Sequence, residues 1–304
     1  MDLHQLRILR ELGDLGSVNA VARSLYVSPS AVSQHLAALQ RQFNVPLTRK
    51  EGRTLVLTDQ GQILATAAAD IASTLSQAEA RIEEHNDDGK PIRISGFHSI
   101  GQLVFAPLLS ASTTGSPPFR FYDEDVSQQD FPALTSRYDL VLAHRMPHTE
   151  PWPGQVAVIP LAFEPLDIAL PAQHPLAKHD ELTPEQVIDE NWVVSRSGYS
   201  PADVLQTIAA MAGSAPTVLH RVNDYATAGA LIGASNCLGI LPRYTSRHIL
   251  NESVTLRPIK GLTTGRQIDI LVRAEHLHRR SIKAVVEQLR VTVNDLIFTM
   301  DGVR

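Results

Sequence analysis

The chain has 304 residues, of which 43% are hydrophobic and 19% charged, and its formal net charge is −5 at pH 7. This composition excludes a disordered or collagen-like chain, and the length predicts two or three domains. No segment has the roughly 18 consecutive apolar residues of a membrane span, and no signal-peptide pattern begins the sequence. The single cysteine, Cys237, excludes an internal disulfide. We therefore expect a cytoplasmic protein.

The charges are unevenly distributed along the chain. Residues 1–58 carry seven Lys or Arg against four Asp or Glu, whereas residues 59–90 carry two against seven. A basic segment on an acidic body is typical of localised phosphate binding. Because an excess of three basic residues over 58 positions is also ordinary for a protein surface, the case for DNA binding depends on the motifs that follow.

Three short helices are predicted at the N-terminus. The first spans residues 2 to about 14, has leucines along one side and ends near two glycines. Ser17 can cap the second helix, and Ser28-Pro29 begins the third, where the missing N–H of proline costs nothing. Apolar residues of the third helix recur in steps of 4, 3 and 4. Three short helices with a tight turn between the last two predict a helix-turn-helix.

Two short strands, residues 45–47 and 54–57, are predicted to form a wing around a turn at Glu51-Gly52. The second helix of a helix-turn-helix enters the major groove, where the amide of Gln34 can pair with adenine. The cations of the wing would hold phosphate or the minor groove, with little choice of sequence. A small helical domain with solvated charges is the alternative. The residues predicted to contact DNA are Ser17, Ser28, Pro29, Ser30, Ser33, Gln34, Arg41, Arg49, Lys50 and Arg53.

A long helix is predicted for residues 59–86, beginning after Thr58. Its apolar residues follow steps of four and three, which is the heptad pattern of paired helices. A narrow apolar seam with acids on the other faces favours pairing with a second copy of the chain, and a helix lying on its own domain is the alternative. The seam consists of Leu64, Ala68, Ile71, Leu75, Ala78 and Ile82.

Strand and helix signals alternate beyond a polar hinge at residues 85–91. The alternation predicts α/β layers with mainly parallel sheets, in a segment long enough for two lobes. Lobe I would comprise residues 91–161 and 266–304, and lobe II residues 162–265. The predicted strands are residues 92–97, 119–122, 139–143, 166–170, 192–195, 217–221, 237–241 and 268–272, and the predicted helices are residues 101–111, 201–211, 224–234 and 281–297.

Residues 17–39, together with Pro46-Leu47, Arg49, Arg53 and the run 57–61, resemble the LysR-type transcriptional regulators, and the resemblance covers the whole chain. It implies an α+β multi-domain protein. An N-terminal winged helix-turn-helix (1–58) precedes a long linker helix (59–86) and a C-terminal α/β two-lobed, periplasmic-binding-protein-like effector domain (91–304). It also implies a homodimer, often a homotetramer, that binds double-stranded promoter DNA, is switched by a small metabolite and can act with RNA polymerase.

Two departures from the family pattern affect the expected operator. The family usually has Ser-Gln followed by Pro or Ala at the start of the recognition helix, whereas this chain has Ser28-Pro29-Ser30 and lacks the customary glutamine at position 29. Thr48 follows Leu47 where phenylalanine is usual. The operator sequence is therefore not transferable from the family, although DNA binding is.

An effector is expected at the carboxyl ends of the strands, in the crevice between the lobes. The first of these strands leads into a helix whose N-terminal N–H groups favour an anion, and the resemblance places the pocket at this turn, with Ser99 as the first candidate. Arginine at strand ends suits a carboxylate or phosphate, which favours an anionic effector; the alternative is that the arginines only pair with surface acids. The predicted effector-binding residues are Phe97, His98, Ser99, Ile100, His144, Arg145, Ser195, Arg196, Ser197 and Tyr199.

The sequence predicts no enzyme, no metal site and no cofactor. His276 and His278 could converge on a metal, but no cysteine or carboxylate cluster completes a known spacing, so a solvated loop is expected there. Cys237 lies in an apolar run typical of a small buried residue. Neither a P-loop nor a nucleophile elbow is present. A solute-binding module and an enzyme with a fused DNA-binding head remain as alternatives.

Overall fold

The computed structural model describes residues 1–52, 54–82, 90–112, 117–153 and 156–301. The N-terminal domain has three helices followed by a hairpin. They are α1 (Leu3–Leu15), α2 (Val18–Leu25), α3 (Pro29–Gln40), β1 (Thr48–Glu51) and β2 (Thr54–Leu57). The side chain of the residue preceding each helix accepts a backbone N–H of its first turn; the caps are Asp2, Ser17 and Ser28. The caps at Ser17 and Ser28 were predicted, and the cap at Asp2 was not.

The first strand of the wing begins three residues later than predicted, at Thr48 rather than at position 45. The side chain of Gln40 holds the intervening segment, since it donates to the Val45 carbonyl at 2.8 Å and accepts the Leu47 N–H at 2.8 Å. Pro46 has no N–H to give to a strand ladder. Leu47 is instead buried in the core of the domain, and the hairpin forms beyond it.

Helix α4 (Asp59–Ile82) follows the wing directly. Thr58 caps it, because its hydroxyl accepts the Gly61 N–H at 3.1 Å. Ala65 and Ala68 are buried, and Ala68 belongs to the core of the N-terminal domain. The predicted continuation of this helix to residue 86 lies outside the described residues.

The rest of the chain forms two α/β lobes joined by long strands. The strands are β3 (Ile92–Gly96), β4 (Phe119–Asp123), β5 (Leu140–Arg145), β6 (Ala157–Pro171), β7 (Asn191–Val194), β8 (Thr217–Arg221), β9 (Gly239–Pro242), β10 (Val254–Arg257) and β11 (Gly265–Val272). The helices are α5 (His98–Ser110), α6 (Phe131–Leu134), α7 (Pro184–Val187), α8 (Ser200–Ala212), α9 (Tyr225–Ala234) and α10 (Arg280–Asp301). Short 3-10 helices span Gln128–Asp130, Pro175–Lys178 and Ala274–His278.

The prediction of mainly parallel sheets is wrong. Among the described strands, β3 pairs in parallel with β4 and β5, and β7 with β8. Strands β6 and β11 pair antiparallel with each other and with their neighbours β5, β9 and β10. The cause is that β6 and β11 cross between the lobes in opposite directions. The predicted strand 166–170 is the second half of the 15-residue β6, and β10 was missed.

Each lobe has its own hydrophobic core. In lobe I, α5 and α10 pack against β3, β5 and β11. In lobe II, α8 packs around the fully buried Trp192. The change from one core to the other falls along β6 between Ala162, which packs in lobe I, and Leu166, which packs in lobe II. The predicted residue limits of the domains and lobes remain predictions.

The N-terminal domain packs on lobe I of the same chain through buried ion pairs. Arg273, the residue after β11, donates to Glu11 of α1 at 2.6 and 2.9 Å and to Asp14 at 3.0 Å. Arg10 donates to Glu275 at 2.7 Å. Glu11 is 0% and Arg273 6% exposed, so this contact shields its charges from water. We call these pairs the α1–lobe I contact.

Helix α4 also packs against lobe I, along the 3-10 helix Ala274–His278. Ser76 donates to the Glu275 carbonyl at 2.6 Å, and the Ser73 hydroxyl lies 3.0 Å from Nε2 of His278. At about 100° per residue these serines lie on a different side of α4 from Ile71 and Leu75. The helix therefore rests on its own chain while its seam is left uncovered. Among the described helices, none has both the length and the hydropathy needed to cross a membrane.

Candidate DNA interface and effector cleft

Helix α3 presents its predicted DNA contacts on one exposed face. Val32 and Leu39 are buried beneath it, whereas Ser30, Ser33 and Gln34 are exposed. The Ser33 hydroxyl donates to the Pro29 carbonyl at 3.0 Å. Within the described part of the chain the Gln34 amide makes no hydrogen bond, so its donor and its acceptor are both available to a base.

The serines at the helix starts act as caps. Ser17 accepts the Ala20 N–H at 3.5 Å, and Ser28 accepts the Ala31 N–H at 3.2 Å. Ser28 also shares a hydrogen bond of 2.9 Å with the Ser30 hydroxyl. These contacts fix the start of α3, and a DNA contact by the same hydroxyls remains a prediction.

Tyr26 was missed in the sequence. It forms the turn between α2 and α3, where its side chain is 91% exposed and its φ is 57°. A left-handed backbone is uncommon for any residue other than glycine, and a large aromatic side chain left almost wholly in water beside the recognition helix is unusual. Its position two residues before the Ser28 cap was the available signal.

The cations of the wing and of the end of α3 are exposed. Arg49 and Lys50 lie on β1, and Arg41 is the C-terminal cap of α3. Arg49 pairs with Glu51 at 2.9 Å, with both side chains more than half exposed. Such an exposed ion pair contributes little to the free energy of folding, so a DNA phosphate can replace the Glu51 carboxylate. Arg53 lies outside the described residues.

A buried ion pair lies where β6 and β11 cross between the lobes. Nε and Nη2 of Arg266 donate to Oε2 of Glu164 at 3.0 and 2.8 Å, and both side chains are 1% exposed. The Glu164 carboxylate also accepts the N–H groups of Tyr244 and Thr245 at 3.0 and 2.6 Å. Both residues were missed, although an arginine within an otherwise buried strand signals a partner, because charge is rarely buried unpaired.

Ser99 joins this pair from lobe I. Its buried hydroxyl accepts a hydrogen bond from Nη2 of Arg266 at 3.2 Å. The Arg266 guanidinium also lies over the Phe97 ring, 4.6 Å from its centroid, and Nη1 reaches the Tyr225 hydroxyl of lobe II at 3.5 Å. Arg266 therefore contacts both lobes at the base of the cleft. Ile100 is fully buried in the core of lobe I and is not brought to the cleft surface.

His144 is a buried neutral histidine. Burial lowers the pKa of His144 well below its usual value, and the nearby charge of Arg266 lowers it further. Its ring meets the edges of Phe97 and Phe131 at centroid distances of 4.8 and 5.2 Å, and Nδ1 lies 3.2 Å from the Ser200 hydroxyl. It therefore links β5 of lobe I to the first turn of α8 in lobe II.

The rims of the two lobes touch across the cleft. Nδ1 of His98 lies 2.6 Å from Asp123, and its Nε2 lies 3.9 Å from Asp224 of lobe II. The Tyr199 hydroxyl of lobe II donates to the Asp125 carbonyl of lobe I at 3.2 Å. These contacts would have to break or shift when the cleft opens.

The two predicted cleft arginines differ in environment. Arg145 pairs with Asp269 at 3.2 Å, and this acid is buried rather than on the surface as the alternative interpretation expected. Arg196 and Ser197 are exposed, and the Arg196 guanidinium makes no ion pair among the described residues. The Arg196 backbone N–H donates to Oδ1 of Asn223 at 2.9 Å.

Two buried polar groups lie unpartnered at the carboxyl ends of β7 and β8. They are the hydroxyl of Ser195 and Nδ2 of Asn223, neither of which has a hydrogen-bond partner among the described residues. Because β7 and β8 pair in parallel, their carboxyl ends lie at the same edge of the sheet. Buried polar groups normally have partners, so this edge is where a ligand or water is expected. Ser195 was predicted; Asn223 was missed.

The histidines considered for a metal do not share a site. His276 lies 3.9 Å from Asp139, and burial lowers its pKa more than this carboxylate raises it. His278 contacts Ser73 of α4. The predicted solvated loop is wrong, since both residues belong to a half-buried 3-10 helix covered by α4. No group of three metal-ligating side chains occurs in the described part of the chain, and Cys237 is buried.

The predicted dimer seam is divided along α4. Ala68 is buried in the N-terminal domain, whereas Ile71, Leu75 and Ile82 are 38%, 48% and 83% exposed. Ala78 is also exposed. Large aliphatic side chains in a row at heptad spacing are rarely left in water, so the second half of the seam lacks a cover within the described chain.

Comparison with known proteins identifies both parts of the chain. Residues 3–62 match the family model described as "Bacterial regulatory helix-turn-helix protein, lysR family". Residues 85–293 match the model described as "LysR substrate binding domain". The chain is 23% identical to the uncharacterized regulator YybE of Bacillus subtilis, over 80% of this chain and 82% of that protein. It is 24% identical to the regulator CysL of the same species, over 82% of this chain and 84% of that protein.

Solved structures share the fold. Full-length OxyR from Pseudomonas aeruginosa matches with a TM-score of 0.65 and 19% identity, over 95% of both chains. CbnR complexed with its target DNA matches with a TM-score of 0.51 and 18% identity, over 96% of this chain and 100% of that one. The two family models together span the winged helix-turn-helix and the two lobes. The chain belongs to the LysR family of transcription regulators.

Proposed function

We propose that the chain reads an operator with the exposed face of α3 and holds its phosphates with the wing. The observation that carries this proposal is the exposed Gln34 amide, free of intramolecular hydrogen bonds, on the helix that the fold presents to a major groove. Arg49 and Lys50 on β1 supply the salt-dependent share of the affinity. Arg53 is proposed to act with them.

The test compares Gln34→Ala with Lys50→Ala on operator variants at several salt concentrations. Loss of Gln34 should weaken discrimination at particular base pairs, by about 1–3 kcal/mol at each contacted base. Loss of Lys50 should weaken binding to all DNA sequences alike and reduce the slope of log affinity against log salt concentration by about one. Gln77→Ala, an exposed glutamine on α4, is the matched control. Equal, sequence-independent losses in both variants would contradict this docking.

We also propose that the chain pairs through α4 as a homodimer, and that two dimers can form a homotetramer. The exposed Ile71, Leu75 and Ile82 support pairing, because a second copy of the same seam would remove them from water. Paired recognition helices would then meet a palindromic operator, since a two-fold dimer presents the same residues to each half-site.

An anionic effector is proposed to bind between the lobes, beside Ser195, Arg196 and Asn223. All three offer hydrogen-bond donors at one sheet edge, and two of these donors are buried and unpartnered. Ser99 and Arg266 lie at the base of the same cleft. For control, the effector must bind one arrangement of the lobes better than another, because equal affinity shifts nothing.

Thermal stabilisation by carboxylate and phosphate metabolites tests this site. A binding effector should raise the Tm of the full-length chain and should lose at least tenfold in affinity in Arg196→Gln and Asn223→Ala. Arg120→Gln, an exposed arginine of β4, is the control. An anion that binds all the variants equally would place the site elsewhere.

We propose that the chain acts in the cytoplasm, without enzymatic activity, metal or cofactor, and that RNA polymerase is a further partner. The match to a family of transcription regulators supports these points. The enzyme alternative is tested in the same screen, since stabilisation with turnover of the ligand would favour it. The alternative of a solute-binding module without a DNA target predicts no specific shift of upstream DNA.

A further inference from the structure

A large cavity lies where the N-terminal domain, α4 and lobe I meet. Its volume is about 1120 Å³, and its walls come from α1, from the middle of α4 and from residues 273–280 of lobe I. Cavities that bind small ligands measure roughly 300–1,000 Å³, so there is room for one. None of the cleft residues Ser99, Ser195, Arg196 and Asn223 is among its lining residues. We call it the junction cavity.

The walls of the junction cavity are strongly basic. They carry seven lysine or arginine side chains and two glutamates. One of the glutamates, Glu275, is already paired with Arg10 at 2.7 Å. Arg7 of α1 and Arg280 at the start of α10 are exposed and make no ion pair or hydrogen bond among the described residues. Arg10, Arg93, Arg273 and Arg279 are already ion-paired, so the arginines left to hold an anion are Arg7 and Arg280.

Two of the arginines in its walls are buried with a donor left over. Arg10 and Arg273 are 5% and 6% exposed. Both use their Nη atoms for the α1–lobe I contact, and within the part of the chain that the structure describes the Nε N–H of each has no partner. A buried N–H without an acceptor is unfavourable. Because these Nε groups have almost no accessible surface, a molecule in the cavity reaches them only if the α1–lobe I contact shifts. The guanidinium groups of Arg7 and Arg280 are exposed, and their planar fork is suited to phosphate and carboxylate.

We propose that the junction cavity is a second ligand site, which binds a small anion with at least two phosphate or carboxylate groups. Arg7 and Arg280 hold its ends. Because Arg7 belongs to the DNA-binding domain and Arg280 to lobe I, the bound anion bridges the two domains. It stabilises the arrangement in which α1 rests on lobe I, whatever occupies the cleft.

The dimer seam contributes Ile71 and Leu75 of α4 to the apolar part of the same walls, beside Leu3 and Leu6 of α1. A partner helix paired along α4 would narrow the cavity from that side, whereas the cations come from α1 and lobe I. The site must therefore be tested in the full-length assembly.

Inorganic tripolyphosphate is the probe, titrated into the full-length protein by calorimetry at low ionic strength. We expect saturable binding that weakens at least tenfold in Arg7→Gln and in Arg280→Gln. Both residues are exposed, so neither substitution should unfold the chain. Arg120→Gln on β4 serves as the control and should bind as the unaltered chain does.

Three outcomes would overturn the proposal. They are the absence of saturable binding, equal weakening in the control variant, and displacement of the probe by a short operator duplex, which would make these arginines a DNA surface. The test is independent of the cleft, because an effector that binds beside Arg196 is unaffected by either result.

Discussion

Replacing Arg266 with methionine should strongly destabilise the effector domain. The change removes the cation that neutralises Glu164, and the carboxylate stays 1% exposed with the N–H groups of Tyr244 and Thr245 as its remaining backbone donors. Removing one partner of a buried ion pair costs about 3–5 kcal/mol. In a domain of this size each kcal/mol lowers Tm by about 2–4 °C, so the expected fall is about 6–20 °C.

The matched control is the double variant Arg266→Met with Glu164→Gln. A glutamine oxygen can still accept from Tyr244 and Thr245 without a buried charge, so the double variant should recover at least half of the lost stability. Both tryptophans, Trp152 and Trp192, lie in the effector domain, so their fluorescence during urea unfolding reports this domain alone. A single variant within about 1 kcal/mol of the unaltered chain, or a double variant no better than the single, would refute the reasoning.

Three further predictions concern the seam, the α1–lobe I contact and the buried histidine. Leu75→Arg should convert the assembly to monomers in analytical ultracentrifugation, whereas Gln77→Arg should not, because only position 75 lies on the seam. Monomers in both variants would contradict pairing through the seam. Arg10→Glu should separate α1 from lobe I and increase the radius of gyration measured by X-ray scattering. Adding Glu275→Arg should partly reverse this increase. An unchanged radius of gyration in Arg10→Glu would show that the α1–lobe I contact is weak. His144 stays neutral when folded, so it should lower the free energy of unfolding by about 1.4 kcal/mol per pH unit as the pH drops below about 6.5. In urea unfolding at pH 7.5 and 5.5, His144→Asn should reduce the pH dependence by about this amount, and an unchanged pH dependence would contradict burial of a neutral ring.

The DNA-binding half was predictable because its signals are local. Ser28 caps α3 through a residue three positions away, and the proline that follows fixes the first turn. The same locality explains the correct start of α4 after Thr58. The start of the wing was misplaced because the side chain of Gln40, not a strand partner, holds the segment around Pro46.

The base of the cleft was not predictable, because its partners are remote in sequence. Glu164 and Arg266 are 102 residues apart, and Glu11 and Arg273 are 262 apart. Local periodicity carries no information about such pairs. It also cannot distinguish parallel from antiparallel pairing of buried strands, which is why β6 and β11 were misjudged. The exposed Arg196 and the paired Arg145 differ for the same reason, since the partner of Arg145 lies on the distant β11.

The central claim is that α3 lies in the major groove of an operator, in a dimer paired through α4. Chemical footprinting of the DNA upstream of its own gene, with the full-length chain at low ionic strength, tests this claim most directly. We predict two protected half-sites about 34 Å apart, or a multiple of that spacing, on one face of the duplex, and changed protection at single base pairs in Gln34→Ala. A monomeric protein that protects no position of that DNA in preference to unrelated DNA would contradict the claim.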